Sequence, residues 1–394
     1  MPMHALLPAR KRIMSIDIFR GLIMVIMALD HVRDFFHNTA TTANPLDPAT
    51  TTPILYFTRW ITHFCAPTFV FLAGASIFLM AQRKTKNEVS AFLFKRGCWL
   101  IFVEFFIINF ALSFNPSFPL TILTIIWAIG ISMVLLSLLI RLPYKLIFLM
   151  GLIIVLGHNL MDFPEQGHPG KINFWWDLLH HNARGAYEIF RGHLLVISYP
   201  FLPWTGVMLL GYCFGKLFLP TVDPRARRKT LVQLGSALIL FFFLLRFLNV
   251  YGDPSPWSHQ LNGEQTAFSF FNVTKYPPSL QFLCITIGPG MYALAAIENM
   301  RGWFARIFNV FGRVPLFYYI LHLYIIHLTC MVIYLASGYH FSDAFSGTMS
   351  FRSPGFSLPI VYLIWLGVVI TCYPLCKKYD HYKTTHRYWW LSYL

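Results

Sequence analysis

The chain has 394 residues, of which 56% are hydrophobic, 18% aromatic and only 12% charged. A soluble domain of this size carries about twice that share of charge and has nowhere to hide so much apolar surface, so the composition excludes an ordinary soluble protein. The formal net charge of +15 does not point to nucleic acid, because the basic residues punctuate apolar runs instead of forming a stripe on one module.

A membrane-crossing helix needs roughly 20 apolar residues. Ten runs have that character, over 13–36, 54–81, 89–112, 119–140, 143–161, 196–219, 229–250, 278–298, 307–336 and 357–376. Lipid offers no partner to a backbone N–H or C=O, so each run is expected to be helical. The expected fold is all-α, a single polytopic integral membrane bundle of about ten helices filling 1–394. The first run contains Asp17 and Arg20 and lacks a small-residue cleavage site, which reads as a retained helix and not a removed signal peptide.

The loops alternate in character. One set is short and basic: Arg10-Lys11-Arg12, Arg83-Lys84-Thr85-Lys86, Arg141 to Lys145, Arg225 to Lys229, Arg301 to Arg313 and the tail from Lys377. The other set is longer and rich in Pro, Asn, Trp and His. The positive-inside rule puts the basic set, and with it both termini, in the cytoplasm, and an even number of crossings agrees. In the other set, 158–198 holds Phe174-Trp175-Trp176, His180-His181 and Tyr187, a pattern that suits an interfacial helix or a lid. A further outer segment covers 251–278.

Ionisable residues inside lipid are costly, and each marks a candidate site. In the first helix Asp17, Arg20, Gly21, Met24, Ala28 and His31 share one stripe at 100° per residue. Asp17 and Arg20 are three apart and can pair. His31 lies about 16 Å beyond Arg20, toward the outer side. The second helix descends from that side and brings Arg59 and His63 to a similar depth. Asp30, His31, Asp34, His37, Arg59 and His63 are therefore candidates to surround one outward-facing polar pocket. Histidine suits proton transfer near neutral pH. Glu104, in the third run, is expected to pair with Arg20 or to orient a histidine. In the ninth run His322 falls near mid-membrane, with Tyr318 one turn before it. His327 points about 140° away from His322 and reads as structural. Gly206, Gly211 and Gly215 read as close-packing residues. The seven cysteines fall in or beside apolar runs with no zinc spacing, and the adjacent His180 and His181 diverge on a helix, so no metal is expected.

Five segments, taken in order, carry a family resemblance: Ser15-Ile-Asp17-Ile-Phe-Arg20-Gly21, Phe64-Cys-Ala-Pro67 through Ser76, Lys95-Arg96-Gly97 through Glu104, Pro200-Phe-Leu-Pro203-Trp204-Thr-Gly206 through Tyr212, and Phe311-Gly312-Arg313-Val-Pro315 through Tyr319. Together they resemble the catalytic domain of the heparan-α-glucosaminide N-acetyltransferase family, within the transmembrane acyltransferase superfamily. The resemblance implies a multi-pass enzyme, here of a bacterial plasma (inner) membrane, that moves an acetyl group from cytosolic acetyl-CoA to a hydroxyl or amine of a sugar or glycan on the far side. The partners implied are the lipid bilayer, acetyl-CoA and the acceptor, with a homodimer left open and no nucleic acid. The lysosomal member of the family has Asn where this chain has His31, whereas the superfamily more widely has His. On this reading His31 is the general base or accepts the acetyl group itself, with Arg59, His63 and His37 as further catalytic candidates. Asp17, Arg20, Asp34, Glu104, Arg313 and His322 are candidates for binding donor or acceptor. The rival reading is a proton-coupled secondary transporter of a small polar solute, for which such residues are also typical.

Overall fold

In the computed structural model the described residues are 13–40, 42–168, 170–181, 186–345, 350–351, 354–386 and 388–393. The basic stretch Arg10-Lys11-Arg12 lies outside them. The protein is a mostly helical membrane bundle. In chain order the helices are α1 (Met14–Phe36), α2 (Pro53–Ile61), α3 (Cys65–Ala81), α4 (Lys86–Phe102), α5 (Asn109–Ser113), α6 (Ile125–Leu139), α7 (Tyr144–Gly157), α8 (Asp162–Glu165), α9 (Phe174–Leu179), α10 (Phe201–Phe214), α11 (Pro224–Leu248), α12 (Gly263–Phe271), α13 (Leu280–Ile297), α14 (Trp303–Arg313), α15 (Pro315–Ala336) and α16 (Leu358–Thr385). Among the described residues, seven helical segments are long and apolar enough to cross a membrane: Pro53–Ala81, Tyr144–Glu165, Phe201–Phe218, Pro224–Leu248, Leu280–Ile297, Pro315–Ala336 and Leu358–Thr385. The segments Pro224–Leu248 and Leu358–Thr385 are only 22% and 17% buried within the protein, so their Leu, Val and Phe side chains face outward, as lipid contact requires.

Each of the ten apolar runs contains a helix, but several differ from a plain span. The run 119–140 begins as a strand, β1 (Leu120–Leu123), and 196–219 begins at the end of another, β3 (His193–Ile197). These pair in parallel, and β2 (Ala186–Phe190) pairs antiparallel to β3, giving a small sheet of order β1-β3-β2. The Asn109 side chain serves the other edge of β1: its Oδ1 accepts from Ile122 N at 2.6 Å and its Nδ2 donates to Ile122 O at 3.2 Å. Leucine and β-branched residues suit a strand once such partners exist, and they exist only after folding. The run 89–112 passes through a π-helical turn at Val103–Ile108. The run 307–336 is two helices that break at Val314, before Pro315. Proline suits the first turn of a helix and disfavours α geometry at the residue before it.

Two of the helix crossings where backbones touch bear on the site. A Cβ on Gly21 of α1 would lie 1.8 Å from Phe308 O, and one on Gly312 of α14 would lie 1.7 Å from Asp17 O. A Cβ on Gly211 of α10 would lie 2.1 Å from Phe71 O of α3. Glycine permits this approach, which in lipid substitutes for a hydrophobic driving force. The two crossings hold α1 against α14 and α3 against α10, and so fix the walls of the site.

Candidate functional site

Two cavities lie along α1. The first has a volume of about 410 Å³ and is lined by Asp30, His31 and Asp34 of α1, Thr62 and Cys65 after α2, Thr124, Tyr199, Lys275, Tyr276 and Tyr319. The second, of about 230 Å³, is largely apolar, with Met24, Met27, Phe69, Ile77 and Leu100 in its wall, and it carries Arg20, Ser76 and Arg96. Met27, Phe69, Ile125 and Tyr319 line both, so the cavities share a wall.

Arg20 Nη1 donates to Asp17 Oδ1 at 3.2 Å and to Gly312 O at 3.2 Å, and Nη2 donates to Ser76 Oγ at 2.6 Å. One guanidinium thus ties α1, α14 and α3 together beside the apolar cavity. The expected Asp17–Arg20 pair is present.

In the polar cavity, Asp30 is the hub. Arg59 donates to both its oxygens, at 2.6 Å to Oδ1, and Arg33 lies 3.0 Å from Oδ1. Arg33 also donates to Asp34 Oδ1 at 2.5 Å. Lys275 stands 4.0 Å from Asp30 Oδ2, beyond hydrogen-bond range. Its ammonium lies over the Tyr276 ring, 5.1 Å from the centroid. Three cations therefore surround Asp30 and Asp34.

His31 faces this network from the same helix. Its Nδ1 is 2.7 Å from His322 Nε2, and the two rings are 10° from parallel. His322 Nδ1 is 2.8 Å from the carbonyl oxygen of Tyr318. A carbonyl only accepts, so His322 carries its proton on Nδ1 and, as a neutral ring, presents a bare Nε2. His31 then donates through Nδ1, which leaves a lone pair on its own Nε2. The hydrogen-bond polarity thus assigns the tautomer of His31. A neutral imidazole with a free Nε2, oriented through its other nitrogen, is the arrangement used by general bases and nucleophiles.

Other expected residues lie elsewhere. His63 is turned toward α13, its ring 5.3 Å from that of Phe282, and it does not line the polar cavity. The chain between α2 and α3 is a 3-10 turn, Thr62–Phe64, which presents Thr62 and Cys65 to the cavity in its place. His37 sits just past the end of α1, also outside the lining, with Nδ1 2.9 Å from Thr39 Oγ1. Partial burial and the nearby Arg33 push its pKa below the ordinary histidine value. Glu104 pairs with neither Arg20 nor a histidine. It accepts from Thr124 N at 3.2 Å, Thr124 Oγ1 at 2.9 Å and Trp127 N at 2.9 Å, so it caps the start of α6. Its π-helical turn aims the carboxylate at those orphan N–H groups. Arg313 Nε lies 3.0 Å from Asp380 Oδ1, a latch between α14 and α16. His327 bridges Ala111 O and Ser350 O at 2.8 and 3.0 Å, a structural role.

Lys275, Tyr276, Tyr199 and Thr124 were not among the sequence candidates. Lys275 and Tyr276 sit in a connecting segment without periodicity, and Thr124 and Tyr199 sit where β1 and β3 give way to α6 and α10, inside runs expected to be plain helix. Lys275 is placed by a folded connecting segment organised around Arg246 and Asp253. Arg246 donates to Phe270 O, Ser269 O and Asn272 O at 2.7, 2.9 and 2.8 Å. Asp253 accepts from Thr274 N at 2.8 Å and from Ser279 Oγ at 2.7 Å, and burial pushes its carboxyl pKa up.

A comparison with curated proteins finds no match. The family described as heparan-alpha-glucosaminide N-acetyltransferase, catalytic, matches residues 12–246, which include the arginine end of the apolar cavity, the Asp30–Arg59 hub and His31. His322 and Lys275 lie beyond the matched segment. With well over half of its length matched, the chain belongs to the heparan-alpha-glucosaminide N-acetyltransferase catalytic family and is a membrane-embedded acetyltransferase.

Proposed function

We propose that the protein transfers an acetyl group from acetyl-CoA, held along the apolar cavity, to a hydroxyl or amine of a sugar or glycan held in the polar cavity. The observation that carries this reading is the Tyr318 carbonyl–His322–His31 chain, which leaves His31 Nε2 as a free base on the wall of the polar cavity. With ten crossings and both termini cytoplasmic, as the loop charges favour, Arg20 and Arg96 face the cytosol and hold the phosphates of the donor. The apolar wall between Arg20 and His31 takes the pantetheine arm. Asp17 orients Arg20. Asp30, Arg59 and Asp34 hold the polar cavity in shape, and Lys275 offers a cation to the acceptor. Tyr319, common to both cavities, stands where the thioester would meet the acceptor, and its hydroxyl is the candidate donor to the developing oxyanion.

In direct transfer, His31 Nε2 takes the proton of the acceptor O–H or N–H as that atom bonds to the acetyl carbon. The C–S bond breaks, and the proton passes to the departing CoA thiolate. In the two-step form Nε2 bonds to the acetyl carbon first and the C–S bond breaks, releasing CoA as the thiolate; the acceptor then attacks the acyl carbon, the C–Nε2 bond breaks, and the acceptor's proton passes by way of Nε2 to the thiolate. The test is His31→Ala protein, purified in detergent, with radiolabelled acetyl-CoA. Loss of thioester turnover is expected, and unchanged turnover would overturn the role given to His31. Among the described residues no contact favours a transporter over this reading.

A further inference from the structure

At the C-terminal end of α7 a second polar cluster is built. The helical rod runs on through a 3-10 turn, His158–Met161, into α8, so His158, Asp162 and Glu165 recur at +4 and +7 on one face. The segment after α9 folds back and brings His180 against them. One ligand atom from each of Asp162, Glu165 and His180 lies within 4.8 Å of the others. His180 is fully buried between two partners: its Nδ1 is 2.8 Å from Glu165 Oε1, and its Nε2 is 3.0 Å from His158 Nδ1.

Asp162 and Glu165 are two carboxylates at close range, and among the described residues neither has a Lys or Arg within ion-pair distance, so the one titratable base against them is His180. A buried carboxylate needs a cation or a proton to offset its desolvation. His158, 3% exposed, stands behind His180 and is bonded to it through Nδ1, and among the described residues its Nε2, on the side of the ring away from the cluster, has no hydrogen-bond partner. Because Glu165 accepts from His180 Nδ1, the neutral chain places protons on Nδ1 of both rings and leaves a bare, buried lone pair on His158.

We infer that Asp162, Glu165 and His180 bind a divalent transition-metal ion, with Zn²⁺ as the best match. Borderline cations take imidazole nitrogen together with carboxylate oxygen, and three protein ligands with an open position form a known class of zinc site. Each ligand already has a partner behind it. Asn159 Nδ2 donates to Asp162 Oδ2 at 2.6 Å, Trp176 Nε1 donates to Glu165 Oε1 at 2.8 Å, and His158 lies behind His180. Such outer contacts orient metal ligands and fix their tautomers. When the metal takes Nδ1 of His180, the ring's proton moves to Nε2 and is donated to His158 Nδ1, whose own proton moves to His158 Nε2. The adjacent pair that argued against a metal in the sequence is separated by the fold, since His181 turns to Asp177 at 2.9 Å.

The ion would clip the outer segment to the bundle beside the acceptor cavity. Asn159 also accepts from Leu280 N at 2.9 Å, at the start of the helix that follows Lys275 and Tyr276. The strands after His180 lead to Tyr199, another lining residue.

The test uses the full chain in detergent, stripped with EDTA and titrated with ZnCl₂ and, separately, MnCl₂. One Zn²⁺ per chain is expected, with a higher melting temperature on loading and Zn²⁺ affinity at least tenfold lower in Asp162→Asn and in His180→Gln. Absence of stoichiometric Zn²⁺ binding, or binding undiminished in both variants, overturns the inference. Should the variants fail to fold, X-ray absorption of zinc-loaded wild-type protein decides. Nitrogen and oxygen neighbours at about 2.0–2.2 Å support the site, and a sulfur shell at about 2.3 Å places the metal on cysteines and overturns it.

Discussion

His31 and His322, 291 positions apart in sequence, share a 2.7 Å hydrogen bond with their rings nearly parallel. The bond has a direction, because the Tyr318 carbonyl fixes the proton on the far side of His322. His322 therefore acts on the reaction through His31, as a positioning residue. His322→Phe removes the acceptor for His31 Nδ1–H, frees the ring to rotate and loses the tautomer preference. We expect kcat to fall by about 10²–10³-fold, with KM for acetyl-CoA changed less than threefold, since orientation of the base matters only in the transition state. His322→Gln, which keeps an acceptor, should recover part of the loss. Steady-state kinetics in detergent checks both, and a fall confined to KM would contradict the assignment.

Donor binding is tested through its phosphates. Arg96 lies on the wall of the apolar cavity with Arg20. Arg96→Ala should raise KM for acetyl-CoA by roughly 10–100-fold, the worth of one or two charge-assisted hydrogen bonds. Acetyl-pantetheine carries no nucleotide phosphates, so its turnover by the variant should match wild type. Equal losses with both donors would mean that Arg96 is structural.

Much of this site was legible in the sequence where the signal is local. Asp17 and Arg20 pair because three residues make one turn, and His31 lies along the same helix by rise alone. What stayed hidden depends on long-range placement. Periodicity gives a depth for His322 but no azimuth for its helix relative to α1. Lys275 reaches the cavity because Arg246 and Asp253 fold the segment around it, and no repeat encodes that. His63 shares a helix-depth argument with Arg59, yet the 3-10 turn between α2 and α3 rotates it toward Phe282. The strand at Leu120–Leu123 reads as apolar helix until its partners at Leu194–Ile197 are known.

Glu104 illustrates the same limit and gives a clean test of structure against function. Its carboxylate satisfies three groups at the start of α6. Glu104→Ala leaves two N–H groups and a hydroxyl without their acceptor and should destabilise the protein by about 2–4 kcal/mol. Glu104→Gln, which retains a carbonyl oxygen, should cost about half as much. Neither change should alter KM for acetyl-CoA in the folded fraction. A large KM effect in Glu104→Gln at unchanged melting temperature would return Glu104 to the binding residues.

The closest crossing in the bundle is the Gly21–Gly312 contact, and its position explains why it tolerates no side chain. Arg20 precedes Gly21, and its guanidinium donates to the Gly312 carbonyl. The helix contact and the arginine anchor are thus one unit, and separating α1 from α14 moves Arg20 away from Ser76 and the apolar cavity. An added Cβ at either glycine meets backbone oxygen, not a flexible side chain, so relief requires the helices to part. Gly21→Ala and Gly312→Ala should each cost about 3 kcal/mol or more, at or above the upper end for overpacking. Because both relieve the same clash by the same movement, the double variant should lose less than the sum of the two. Thermal denaturation of the three variants in detergent, read beside KM for acetyl-CoA, measures both effects. Additive losses with an unchanged KM would show that the crossing and the arginine anchor are independent.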